Sequence, residues 1–304
     1  MRSRPESRGA WFPGWFWPSF ATPASVWLLA FFVLPFYVIL SVAFGEVDPI
    51  FLTAVPRLNP IAWDFTAFRG VVGDLFASGS IYQHAFGNTF LYVAVATLLC
   101  LLIGYPVAYF IARHAGRYKP IFLIAFIAPF WISYMMRMFA WINLLQGDGY
   151  VNRILSGLGI VDEPVQWLTG RPTTVILGLM YGYIPFMILP LYATLDRISG
   201  FTLEASRDLG AGQVATFVRV TLPLSRQAIL AGCVIVTLPM FGDYFTNDLL
   251  GSTKTSMFGN LIDTAIQGQG QAPQAASLVL MLIVLLLIPL WYYLRSTKRA
   301  QEAP

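Results

Sequence analysis

Three ionisable side chains, Arg137, Asp243 and Asp248, stand within or at the ends of apolar segments, where a charge is costly and faces a cavity or a partner. The two aspartates bracket Tyr244 and Phe245, and Trp141 follows Arg137 by one helical turn. Carboxylates spaced among aromatic faces can hold a cation, combining ion pairing with cation–π contact. The same aspartates could equally cap the end of a helix, and the residues alone leave both roles open. Arg137 is expected to find a carbonyl or carboxylate partner, while Met135, Met136 and Met138 read as packing.

Enzymic chemistry is missing. The two histidines, His84 and His114, fall at opposite ends of one apolar segment and cannot share a metal. Cys100 and Cys233 sit inside apolar segments, where a thiol acts as a small filler. Gly251-Ser252-Thr253-Lys254 lacks the spacing of a phosphate-binding loop. The chain is therefore expected to be no enzyme, to need no cofactor and to bind no ATP by itself.

The elements that must position these residues are membrane spans. With 57% hydrophobic and 11% charged residues and a mean hydropathy of +0.65, the 304-residue chain falls outside the range of soluble domains. The expected fold class is an all-α polytopic membrane protein with about six transmembrane helices. Spans are expected over 24–44 (with a kink at Pro35), 85–111, 121–145 (running past Pro129), 174–195, from near Gln227 past Pro239, and 276–294. Residues 1–22, with Arg2, Arg4, Arg8 and a tryptophan-rich cluster, read as an interfacial segment, 23–297 as the transmembrane domain and 298–304 as a tail. Thirteen of the nineteen Lys and Arg residues fall on one side of this arrangement, with both termini. The positive-inside rule makes that side cytoplasmic.

One stretch is unlike its surroundings. Residues 204–223 read EASRDLGAGQVATFVRVTLP, polar and glycine-marked between apolar spans. Thr202 is expected as an N-cap with Leu203, Glu204 and Ala205 as the first turn, Gly210 and Gly212 ending the helix, and Pro223 opening the next one. The spacing of Glu204-Ala205-Ser206, Gly210, Val220 and Leu222-Pro223 resembles the EAA loop of ABC importer permeases, here within 196–226. Ser206 departs from the Ala usual at the third position, and Val220 from Ile. The resemblance implies a type I ABC importer permease fold whose loop docks on an ATPase, with Leu203, Leu209 and Phe217 as apolar anchors and small residues permitting close approach.

A finer resemblance covers residues 86–293. Arg137-Met138-Phe139-Ala140-Trp141 with Leu144-Leu145, Gly149 and Asn152, and the run from Tyr183 to Tyr192, are similar to the first permease subunit of spermidine/putrescine importers. It implies a multi-pass protein of the bacterial inner membrane that moves a polyamine, with Asp248 to Gly251 bordering the path; the ion pairing and cation–π contact that a polycation needs add Asp243, Tyr244 and Phe245 to Asp248, with Trp141 as their neighbour from the third span. The implied partners are two ATPase subunits, a second permease and an extracytoplasmic binding protein. Relatives carrying opines, aminophosphonates or ferric iron are the alternative substrates, and an ATP-independent secondary transporter is the alternative class.

Overall fold

The computed structural model describes residues 15–302; the arginines and aromatics expected at the interface before Trp15 lie outside the described residues, as does the end of the tail. From its start the chain forms α1 (Ser19–Ala43), a small hairpin of β1 (Glu46–Val47) and β2 (Ala54–Val55), and α2 (Thr66–Phe76). Then come α3 (Ile81–Arg113), α4 (Lys119–Ile127), α5 (Tyr134–Leu145) and α6 (Tyr150–Gly157). The remainder is α7 (Pro172–Arg197), α8 (Gly200–Asp208), α9 (Gln213–Phe241), α10 (Phe245–Leu250), α11 (Phe258–Gln267) and α12 (Ala272–Lys298).

Five of these, α1, α3, α7, α9 and α12, are each long and apolar enough to cross a membrane, since about 20 residues suffice at 1.5 Å per residue. The expected third span is different. Instead of one helix over 121–145, the chain bends by 91° between the segments 116–131 and 134–157. Pro129 sits in a tight 3₁₀ turn over Ala128–Trp131, and Ile132 and Ser133 are then extended, so no helical hydrogen bonds cross the break. The six spans expected are thus five long helices and one bent pair.

Two helices pass through prolines by the same device. In α1 a π turn over Leu29–Val33 precedes Pro35, and in α9 a π turn over Phe217–Thr221 precedes Pro223. Widening the turn absorbs the missing N–H and the ring clash without breaking the rod. This corrects the expectation that Pro223 opens a new helix: α9 starts at Gln213, well before Gln227, and is one continuous rod.

The core lies between α3, α7 and α9, where Tyr92, Ala96, Cys100, Leu179, Met187, Ile188, Leu191 and Val236 are buried. Two pairs of hydroxyls meet across this apolar core, where no water would satisfy them. Tyr105 Oη meets Ser225 Oγ at 2.9 Å and Thr97 Oγ1 meets Thr237 Oγ1 at 3.2 Å. Thr97 is near the middle of α3, so α9 ends only a little beyond mid-bundle. Everything from Gly242 to Gln271 folds back into the half of the bundle that also carries the hairpin.

Candidate functional site

Because α9 starts early it also ends early, and the polar segment that follows begins deep in the bundle. Asp243 is 7% exposed, and its Oδ2 accepts a hydrogen bond from Tyr183 Oη at 3.0 Å. Tyr183 is near the middle of α7, so Asp243 lies far from either end of that helix. Tyr134 Oη at 3.1 Å and Thr246 Oγ1 at 2.9 Å complete the set on Oδ2, and the Thr246 backbone N–H donates to Oδ1 at 2.9 Å. Tyr134 Oη also meets Thr246 Oγ1, so these two hydroxyls share two protons among three contacts, and none of the surrounding groups supplies a countercharge. Among the described residues the ion pairs are Arg57–Glu46 and Lys119–Asp196, and Asp243 belongs to neither.

The bend between α4 and α5 has a purpose visible here. It puts Tyr134, the first residue of α5, beside α7, where a Cβ at position 182 would come within 2.8 Å of its ring. Only glycine lets the tyrosine lie this close, and this closeness brings its hydroxyl to Asp243. Tyr134, Tyr183, Pro239, Gly242, Asp243, Tyr244 and Phe245 together line a cleft of about 300 Å³, with Tyr244 and Phe245 stacked at 4.3 Å. A larger cleft of about 460 Å³ between α3, α9 and α12 is apolar apart from Thr97 and Thr237 and offers no charge.

Of the five residues expected along a path, Asp243, Tyr244 and Phe245 meet at the cleft. Trp141 does not: its ring packs edge-on against Tyr181 at 5.4 Å. Asp248 does not either. It lies on the exposed side of α10, where its Oδ1 accepts from Asn260 Nδ2 at 2.6 Å. Asp243 does not cap the end of the fifth span, as the alternative reading expected; its Oδ1 accepts from the Thr246 N–H and so holds the start of α10. Tyr134 and Tyr183 were missed as a pair; nothing in sequence links residues 109 and 60 positions away to Asp243.

Arg137 is a correction. Among the described residues no carbonyl or carboxylate receives it: it is 9% exposed, its Nε and Nη1 have no hydrogen-bond partner, and its guanidinium lies over Phe130 at 4.1 Å, Tyr134 at 5.3 Å and Tyr181 at 5.9 Å.

At the opposite end, α8 projects between α7 and α9. It begins after Ser199, not at Thr202, and no side chain caps it, so Glu204 falls beyond the first turn and the expected dipole contact is lost. Gly210 ends α8 as expected, whereas Gly212, expected to end it too, does not. Gly210 has φ +84°, Gly210 N–H reaches Arg207 O at 2.8 Å and Ala211 N–H reaches Ser206 O at 3.1 Å, a Schellman closure. Gly212 opens α9. Ser206 Oγ donates to Leu203 O and meets Thr216 Oγ1 at 3.0 Å, tying α8 to α9. Arg113 Nη2 donates to Ile198 O at 2.9 Å from α3, and the Lys119–Asp196 pair braces the end of α7.

Among the proposed anchors, Leu209 is 89% exposed and Leu203 half-buried, with Glu204 and Ala205 exposed beside them. Phe217 is a correction: it packs edge-on against Tyr105 at 5.7 Å and Tyr109 at 5.8 Å, inside the bundle. Phe201 and Val214, 82% and 77% exposed, take its place on the surface.

Three comparisons bear on this arrangement. The profile of the family described as binding-protein-dependent transport system inner membrane component matches residues 104–301. The spermidine/putrescine transport system permease protein PotB of Haemophilus influenzae is 33% identical over 275 residues, covering 90% of this chain and 91% of its own. PotB of Escherichia coli is 36% identical over 204 residues, 67% of this chain and 74% of its own. A chain of the bacterial alginate ABC transporter superposes with a TM-score of 0.73 over 94% of this chain and 95% of its own, at 19% identity.

Proposed function

The chain belongs to the binding-protein-dependent transport system inner membrane component family, and from that premise we propose that it is the permease subunit of an ABC importer for polyamines. It is not an enzyme; ATP is hydrolysed on separate subunits. Two ATPases, a second permease of similar fold and a substrate-binding protein complete the importer, in the inner membrane. Both termini and α8 lie in the cytoplasm, the side to which the positive-inside rule assigns the basic residues around them.

The observation that carries the substrate class is Asp243. A buried acidic side chain ringed by the hydroxyls of Tyr134, Tyr183 and Thr246, with no cation paired to it among the described residues, and facing a cleft walled by aromatic rings, suits an alkylammonium group. Its depth supports the reading as well, since a site near mid-bundle can be exposed in turn to either face. The PotB relatives point to the same ligands by name.

On the cytoplasmic side, Phe201, Leu209 and Val214 form the apolar part of the surface that enters the ATPase, with Leu203, Glu204, Ala205, Ser206, Gly210 and Pro223 in the frame that presents it. A tilt imposed on α8 passes directly to α9 through Ser206 and Thr216, and α9 ends at Phe241, two residues before Asp243. ATPase closure and the substrate cleft are thus the two ends of one rod, a rigid-body type of switch.

Uptake of radiolabelled spermidine by cells carrying the complete transporter tests the proposal. Saturable uptake, suppressed by excess putrescine but not by an opine, an aminophosphonate or ferric iron, is expected. Suppression by one of those instead would reassign the substrate.

A further inference from the structure

The guanidinium of Arg137 stands on a box of three rings, Phe130, Tyr134 and Tyr181, with Nε and Nη1 buried and unpartnered. We propose that this box is a second cation site of the path and that Arg137 is its displaceable resident, yielding the rings to an ammonium group of the substrate. The inference rests on the polyamine reading above and extends it from one site to two.

Three observations support it. The box already holds a cation by ring faces alone, so its chemistry is that of an ammonium receptor. It adjoins the Asp243 cleft through a shared wall: one face of Tyr134 takes the guanidinium while its hydroxyl donates to Asp243 at 3.1 Å. A linear molecule with cations separated by methylenes can therefore span both sites across a single tyrosine. Finally, the resident is held without satisfying its own donors. A buried Arg with two orphaned N–H groups gains hydrogen bonds by leaving, so its departure costs less than that of an ion-paired arginine. The approach of a second cation adds repulsion in the same direction.

The resident has a use when no substrate is present. It fills the box with a tethered positive charge, which lowers the attraction of the region for small inorganic cations while a polycation, bound first at Asp243, can still displace it. Arg137 is in this sense a specificity residue, one that competes with the substrate rather than binding it.

Concentration dependence of spermidine uptake, measured on the complete transporter with Arg137→Gln and Arg137→Lys, tests this, with assembly scored by co-purification of the ATPase. The Gln variant removes the resident charge and is expected to lower KM by roughly two- to fivefold, the ratio one cation–π contact sustains. Lys, a more strongly hydrated cation that stacks less well, is expected to fall between Gln and wild type. Adding Phe130→Leu to Arg137→Gln is expected to abolish the gain. An unchanged or raised KM in an assembled Gln variant overturns the proposal. Should Gln fail to assemble, the Lys variant decides by the same criterion. Absence of spermidine uptake by the wild type would strike the polyamine reading itself, whereas uptake with an unmoved KM strikes the box alone.

Discussion

Asp243 concentrates two duties in one side chain, and a substitution can separate them. Asparagine keeps an acceptor for the Thr246 N–H, so Asp243→Asn preserves the cap of α10 but removes the charge. Assembly should survive, and KM for spermidine should rise by roughly tenfold or more, about 1.4 kcal/mol of lost charge recognition. Asp248→Asn, outside the cleft, should leave KM within about twofold of wild type. Gly182→Ala should act on the same site from a distance. Its Cβ, 2.8 Å from the Tyr134 ring, must push that ring away, so uptake should fall as in Tyr134→Phe. Sequence made Asp243 legible, because a charge beside an apolar run is expensive wherever it falls. It could not make Tyr134 and Tyr183 legible, since their convergence depends on where α9 ends and on the bend before α5. Trp141 was misplaced for the same reason: the bend turns it toward Tyr181.

Among the elements, α8 was the most readable and its details the least. The glycine at position 210 announced the end of the helix because φ +84° costs any other residue about 1 kcal/mol, and the structure has it there. The start was misread. Thr202 is a good capping residue, but the extended backbone falls at Ser199, where the last turn of α7 releases the chain. Ser206, a departure from the usual Ala, proves to be the link to Thr216; Ser206→Ala should cost about 1 kcal/mol of stability and lower the uptake obtained per ATP hydrolysed. Phe217 and Leu209 should separate cleanly. Phe217→Ala empties an aromatic contact inside the bundle and should lower the thermal stability of the isolated permease, by about 2–3 kcal/mol. Leu209→Ser should leave stability unchanged but reduce ATPase co-purification, because Leu209 is 89% exposed. The π turns before Pro35 and Pro223 were invisible in sequence, where a proline reads as a kink or a start and a widened turn leaves no compositional trace.

For the whole molecule, hydropathy revealed five long helices and charge asymmetry is the ground for the sides proposed for them, but the bent pair could not be told from a straight span by composition. Its apolar content is that of a span; only the extended residues 132 and 133 make it two. If the pair crosses as a unit the termini share a side, and a thiol from Gln213→Cys, at the exposed start of α9, should resist impermeant reagents added outside intact cells. Labelling from outside would invert the topology. The central claim is that a cationic substrate passes Asp243 while ATP is consumed elsewhere, and the most direct measurement is ATP-driven spermidine uptake into proteoliposomes holding the complete importer. Wild type should accumulate spermidine with ATP and not without it, and Asp243→Asn should lose most of that uptake at low substrate concentration while its ATPase subunits remain bound. Equal uptake by Asp243→Asn and wild type across all spermidine concentrations would contradict it.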